Sequence, residues 1–346
     1  MRALDLKGAF VIYFYVVKKF LEYVMPPELI IALSVLGGVI LLFAAVFFGG
    51  VLYAYITAFR FGGKGDPYLR LGENSDVPDA PRCRELVKNI LAIPYERVYT
   101  SSRDGLKLGA CYYHNSDGAP VEIYCHGFHS VGVRDFSGIA LIGRECGRNQ
   151  LFIDQRAHNG SEGKTVTYGI KERFDLLCWI EYVRERFGAD TKIILFGVSM
   201  GGATVLMASG EDLPKNVCGI VADCPYSRPD EIIIKVATTL NPLLRPFIVK
   251  PLIYTAARLS GFKLGEVSAE EAVKKATVPI MIIHGDEDDF VPFYMGERIA
   301  KANPDIKFEV FRAKFHGLSY IADTERYVLA VREFTTECLE GKNEIK

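Results

Sequence analysis

The sequence predicts an α/β fold: a mostly parallel, doubly wound sheet with a helical cap insertion, preceded by an N-terminal transmembrane helix. Three observations lead there. Short apolar runs alternate with helix-length windows over residues 95–342, the rhythm of successive βαβ units. A serine flanked by glycines, Gly197-Val198-Ser199-Met200-Gly201, stands where a buried strand gives way to a helix. Residues 29–59 run for 31 positions without a charge.

Residues 1–28 are apolar and aromatic, but Lys18, Lys19 and Glu22 interrupt them and Pro26-Pro27 ends them. They are expected to lie in a membrane interface. The next run exceeds the roughly 20 apolar residues that cross a bilayer. Tyr53, Tyr55 and Arg60 at its end suit an interfacial belt. A signal peptide would be shorter and nearer the start, so residues 29–59 are expected to span a membrane once. Four basic residues precede the span (Arg2, Lys7, Lys18, Lys19) and six follow within 60–88 (Arg60, Lys64, Arg70, Arg82, Arg84, Lys88). That imbalance favours a cytoplasmic C-terminal domain. Eight cysteines with no CxxC pair read as buried thiols of a reducing compartment. A net charge of −1 over 346 residues argues against a nucleic-acid partner.

Residues 60–94 read as a linker, with a short helix over Cys83–Leu91. "ERVYTSS" and "LKLGACYY" flank Arg103-Asp104-Gly105, a hairpin signal that predicts an antiparallel edge. "VEIYC", "LFI", "KIILF", "CGIVAD", "IMIIH" and "KFEVF" follow as short strands. Helical windows fall at about 135–148, 169–187, 200–209, 293–302 and 323–340. About fifty residues separate "IVADCPYS" from "VPIMIIH", too many for a simple crossover. Residues 226–275 are therefore expected to be an inserted helical cap. Its apolar and basic character suits a lid over an apolar pocket, contact with lipid headgroups, or ordinary packing on the sheet.

A nucleophilic serine needs a base, an orienting acid and an oxyanion site, all at strand carboxyl ends. "VPIMIIH" runs into "HGDEDDFVP", which crowds Asp286, Asp288 and Asp289 together. Spacing from the strand favours Asp288, leaving the others to solvate the loop or cap the helix near Phe293. His316 follows the last strand, and the order Ser, acid, His belongs to this type of elbow. After "VEIYC", Gly127 lets the chain turn so that the Phe128 amide can face an oxyanion. The Met200 amide, at a helix N-terminus, supplies a second donor. His126 and His129 are expected to hold that loop, and Asp154, Arg156 and His158 to form a structural network beside it. The six histidines come mostly from separate strand ends without ligand spacing, so no metal is expected.

In "HGF", "DQRAHNGS", "GVSMGG", "HGDEDDFVP" and "FHG", in that order, residues 96 to about 340 resemble the α/β-hydrolase superfamily. The likeness is to membrane-anchored bacterial serine hydrolases akin to esterases and acylaminoacyl-peptidase-like proteins. By that resemblance Ser199, Asp288 and His316 match the triad, and Phe128 and Met200 the oxyanion hole. Val198 and Asn159 depart from the family, which commonly carries a polar residue and a glycine there. The implied reaction is hydrolysis of a carboxylic ester through an acyl-enzyme on Ser199, with no cofactor. The implied partners are a small-molecule or lipid-like acyl substrate and, through residues 29–59, a bilayer. A thioester or lysophospholipid is the nearest alternative, and a non-enzymatic membrane-anchored scaffold is the alternative from another class.

Overall fold

Short buried strands of β-branched and aromatic residues need partners on both edges and cover on both faces. The computed structural model describes residues 6–64, 66, 68 and 77–342. Residues 1–5 of the expected interfacial segment, including Arg2, lie outside the described residues. So do 65, 67 and 69–76 of the expected linker, including Arg70, and residues 343–346. Strands β1 (Glu96–Ser101), β2 (Lys107–Tyr113), β3 (Val121–Cys125), β4 (Asn149–Ile153), β5 (Ile193–Val198), β6 (Val217–Asp223), β7 (Ile280–Gly285) and β8 (Lys307–Phe311) form one sheet. Their order is β1-β2-β4-β3-β5-β6-β7-β8. β2 pairs antiparallel with β1 and β4, and each later pair is parallel. The hairpin turns at Gly105, whose φ of +85° is open to glycine.

Neighbouring strand residues feed opposite faces, as the pleat demands. Leu195 and Ile282 join one apolar core with Trp179, while Phe196 and Met281 join another with Phe334. Helices Glu172–Phe187, Met200–Ala208, Phe293–Ala302 and Thr324–Glu340 cover the sheet close to the windows expected for them. Two short helices, Gly132–Asp135 and Ile139–Glu145, occupy the window expected at 135–148. The insertion between β6 and β7 carries helices Pro229–Leu240, Pro246–Leu259 and Ala269–Ala272.

At the N-terminus, helices Leu6–Val24 and Pro27–Ala54 meet at Pro26, and Pro27–Phe59 is long and apolar enough to cross a bilayer. Residues up to Tyr53 form one compact unit, and residues from Ala54 onward belong to another. The division between the units thus falls inside the expected 29–59 segment, while the apolar helix itself runs to Phe59. A π-helical turn, Tyr55–Phe59, ends with Phe59 fully buried, its ring 5.3 Å from Phe262. The Tyr168 hydroxyl donates to the Ala58 carbonyl at 3.0 Å.

The reading of 60–94 as a linker is corrected where those residues are described. Arg60 bridges to Thr165, and Phe61 stacks on His129 with ring centroids 3.9 Å apart. Helix Ala80–Leu91 buries Cys83, Val87 and Ile90, an i, i+4, i+7 stripe that must find an apolar partner. Polar and proline-rich flanks gave the stretch its linker-like composition, but this stripe decides its packing.

Candidate active site

β5 ends at Val198 and helix Met200–Ala208 begins two residues later, with Ser199 alone between them. Ser199 makes the turn with φ +55° and ψ −114°. Its N–H donates to the Asp223 carbonyl at 2.9 Å, and its own carbonyl accepts from Ala203 at 2.9 Å. The glycines are forced by space. A Cβ on Gly197 would lie 2.2 Å from the Gly201 carbonyl oxygen, and one on Gly201 would lie 1.7 Å from that of Cys125.

The loop after β7 brings Asp288 to His316, in the loop after β8. His316 Nδ1 lies 2.7 Å from Asp288 Oδ2, and His316 Nε2 lies 2.8 Å from Ser199 Oγ. With Nδ1 protonated, the imidazole donates to the carboxylate and accepts from the hydroxyl. Asp288 Oδ1 accepts the amides of Phe290 at 2.9 Å and Val291 at 2.8 Å. Burial pushes the Asp288 carboxyl up. The hydrogen bond and charge of His316, with the Phe290 amide, outweigh that and leave it below its ordinary value. Asp286 and Asp289 do not cap the helix at Phe293, whose N-cap is Pro292. Asp286 accepts the Ala313 amide at 3.2 Å, and the Asp289 carbonyl accepts Lys235 Nζ at 3.1 Å. The Asp286 carboxylate thus ties the loop to the chain after β8, and the Asp289 amide does so by donating to the Lys314 carbonyl at 3.0 Å.

Around Phe128 the backbone is pinned on both sides. The Gly127 amide donates to Asp135 Oδ2 at 2.7 Å and the His129 amide to His158 Nε2 at 3.1 Å. A Cβ on Gly127 would sit 3.5 Å from the Ser199 Cβ, so this loop runs directly against the elbow. His126 Nε2 accepts the Gln155 amide at 3.1 Å. Arg156 bridges Asp175 and Asp104, and Asp154 pairs with Arg97. Asn159 has φ +50°, which glycine would adopt freely and asparagine tolerates; its amide reaches Asp154 Oδ1 at 3.2 Å.

Several side chains at the site escaped the sequence reading. Asp135 also accepts the Ser130 hydroxyl at 2.5 Å, so one carboxylate ties the Gly127 loop to the following helix. Its only sequence signal was an acidic residue beside an apolar window. Cys224 sits at φ +45° with its Sγ 3.8 Å from His316 Nε2, and burial holds its thiol well above the ordinary value. Cys224, Asp288 and His316 bring potential metal ligands within 4.8 Å of one another, but two of the three already serve the serine relay. Asp223 is fully buried, accepts the Tyr327 hydroxyl at 2.9 Å, and is pushed up to about 7, chiefly by burial.

A cavity of about 420 Å³ opens beside Ser199 and His316. Phe128, Ile139 and Phe290 line it, together with Leu86 and Val87 of helix Ala80–Leu91. None of residues 226–275 lines it, so of the three readings of that insertion the lid over this pocket is the one its lining does not support. Part of the lining comes instead from the segment that precedes the sheet, through Val77, Cys83, Leu86 and Val87.

Residues 123–247 match a family model described as alpha/beta hydrolase fold. YqkD of Bacillus subtilis, an uncharacterized protein, is 28% identical over 218 residues, covering 61% of this chain and 70% of its own. A Saccharomyces cerevisiae membrane protein, YNL320W, is 24% identical, covering 71% and 81%. Among solved structures, the Pyrococcus furiosus esterase Pf2001 superposes with a TM-score of 0.58 at 23% identity, covering 72% of this chain and 93% of its own. The strand order, the strained serine turn and these likenesses together identify the chain as an α/β-hydrolase-fold protein.

Proposed function

We propose that the protein is a membrane-anchored serine hydrolase that cleaves a carboxylic ester through an acyl-enzyme on Ser199. Ser199 Oγ attacks the acyl carbonyl as His316 Nε2 takes its proton. Asp288 holds the Nδ1–H tautomer and stabilises the imidazolium that forms. The Phe128 and Met200 amides donate to the tetrahedral oxyanion, helped by the dipole of helix Met200–Ala208. His316 then protonates the departing alkoxide and the alcohol leaves. Water, giving a proton to His316, attacks the acyl carbon; the bond from that carbon to Ser199 Oγ then breaks as His316 returns the proton to Oγ, and the carboxylic acid is released. Residues 29–59 hold the enzyme at a bilayer, with the catalytic domain on the cytoplasmic side.

The observation that carries this reading is the relay of 2.8 and 2.7 Å contacts from Ser199 through His316 to Asp288, at the mouth of a largely apolar cavity. The test uses the full chain in detergent. A fluorophosphonate probe should label Ser199, located by mass spectrometry, and p-nitrophenyl esters should be hydrolysed. Both should vanish in Ser199→Ala. Labelling elsewhere, or turnover retained in a clean Ser199→Ala preparation, removes the assignment.

A further inference from the structure

The insertion between β6 and β7 carries an unusual surface. From Ile232 to Gly265 the chain holds no acidic residue and five basic ones: Lys235, Arg245, Lys250, Arg258 and Lys263. Where helix Pro229–Leu240 passes to helix Pro246–Leu259, large apolar side chains point into solvent. Leu240 is 81% exposed, Leu243 86% and Phe247 76%. Helix Pro246–Leu259 already buries another face, through Val249, Ile253, Ala256 and Ala257. The outward residues are thus not a core face awaiting the rest of the domain. Among the described residues, Arg245, Lys250 and Arg258 form no ion pair.

The position of this helix supplies the partner. It packs against Tyr55–Phe59, the last turn of the apolar helix long enough to span a bilayer. Phe59 meets Phe262 three residues beyond the helix end. If the chain leaves the lipid at that turn, the helix packed on it lies next to the lipid surface. An apolar edge flanked by unpaired cations fits an anionic interface, where apolar side chains enter the acyl boundary and cations meet phosphates.

We propose that the face formed by Leu240, Leu243 and Phe247 with Arg245, Lys250 and Arg258 docks onto an anionic lipid bilayer, giving the domain a second hold beside its anchor. The proposal rests on the reading of Pro27–Phe59 as a span, and the experiment separates the two.

The full chain, as Phe247→Trp, is reconstituted into phosphatidylcholine vesicles containing phosphatidylglycerol, with plain or brominated acyl chains. Its other tryptophan, Trp179, is buried in the core. Co-flotation with the vesicles reports the span alone. Bromination should reduce emission of the introduced indole roughly two-fold if the ring enters the interface. A control tryptophan, Leu329→Trp on helix Thr324–Glu340, should be unaffected. Adding Arg245→Glu and Lys250→Glu should remove most of the quenching while flotation persists. Flotation with the introduced indole insensitive to bromine overturns the docking and leaves the anchor standing. Blue-shifted emission from that indole that ignores bromine but reverts on dilution into excess lipid also overturns it, since a second copy of the chain then covers the face. Quenching unchanged by charge reversal overturns the anionic specificity.

Discussion

Ser199 holds a backbone conformation that a side chain disfavours, with φ +55° and ψ −114°. Such strain costs about 1–3 kcal/mol and persists where the surroundings over-determine it. Here the Asp223 carbonyl, the Ala203 amide and two glycines leave no alternative. Ser199→Gly should therefore be more stable than Ser199→Ala by about 1 kcal/mol, both lacking ester hydrolysis. Thermal unfolding of the pair checks this, and the reverse order sinks the strain argument. For the acid, Asp288→Asn is expected to lower kcat/KM by orders of magnitude, since the same change in a chymotrypsin-type triad costs about 10⁴. Asp286→Asn and Asp289→Asn should cost far less, because the Asp286 carboxylate accepts the Ala313 amide and the Asp289 side chain is exposed, while Asp288 holds His316.

Asp223 gives a pH signature. Its native value of about 7 lies above its ordinary value, so between about pH 4 and 7 the folded chain holds a proton that the unfolded chain has released. Stability from this group is full below that window and is lost as pH rises through about 7. Asp223→Asn should thus gain stability relative to the parent between pH 5 and 8, by a few kcal/mol at most. The check is urea unfolding of both proteins across that range; a constant difference would mean that Asp223 does not titrate there.

At the scale of elements, the turn Tyr55–Phe59 and the residues after it belong to the catalytic domain. Phe59 is fully buried, and Phe61 stacks on His129 beside the Phe128 amide. Residues 1–60 hold none of the candidate catalytic groups, which makes a cut after residue 60 attractive on the sequence alone. The packing argues for an earlier start. A chain beginning at Ala54 should fold and hydrolyse short, water-soluble esters. One beginning at Lys64 loses both phenylalanines, and emptying a buried phenylalanine site costs about 3–5 kcal/mol. Its melting temperature and kcat should both fall. Equal melting temperatures for the two truncations would show that the turn is only a tether.

Over the whole molecule, the cavity is lined in part by helix Ala80–Leu91 and not by the insertion. Each methylene buried against that lining adds up to ~0.8 kcal/mol, so kcat/KM should climb as much as about four-fold per carbon and then level off. Leu86→Trp should move the optimum to shorter acyl chains. Phe247→Ala, on the exposed edge of the insertion, should leave it in place in detergent. A chain-length series of p-nitrophenyl esters measures both. An unchanged optimum in Leu86→Trp would falsify the assignment of that lining.

What is local in this protein was legible in the chain alone. Alternating apolar runs located the eight strands, and an uncharged stretch marked the candidate span. Glycines at 197 and 201 announced a turn too tight for side chains. Strand ends also nominated Ser199, Asp288 and His316, because a parallel sheet gathers its carboxyl ends at one edge, where the fold brings the three within hydrogen-bond reach. What meets across long separations was settled by folding. An i, i+4, i+7 stripe states that Cys83, Val87 and Ile90 are buried, but not that Val87 faces a cavity beside Ser199. Nothing near Phe61 in the chain points to His129, nothing near Asp135 to the Gly127 amide, and nothing near Tyr327 to Asp223. Composition made residues 226–275 a candidate lid and 60–94 a linker, and packing reversed the two near the site. Apolar patterning fixes how much surface must be buried, while the partner for that surface is chosen by the competition among all elements in the folded chain.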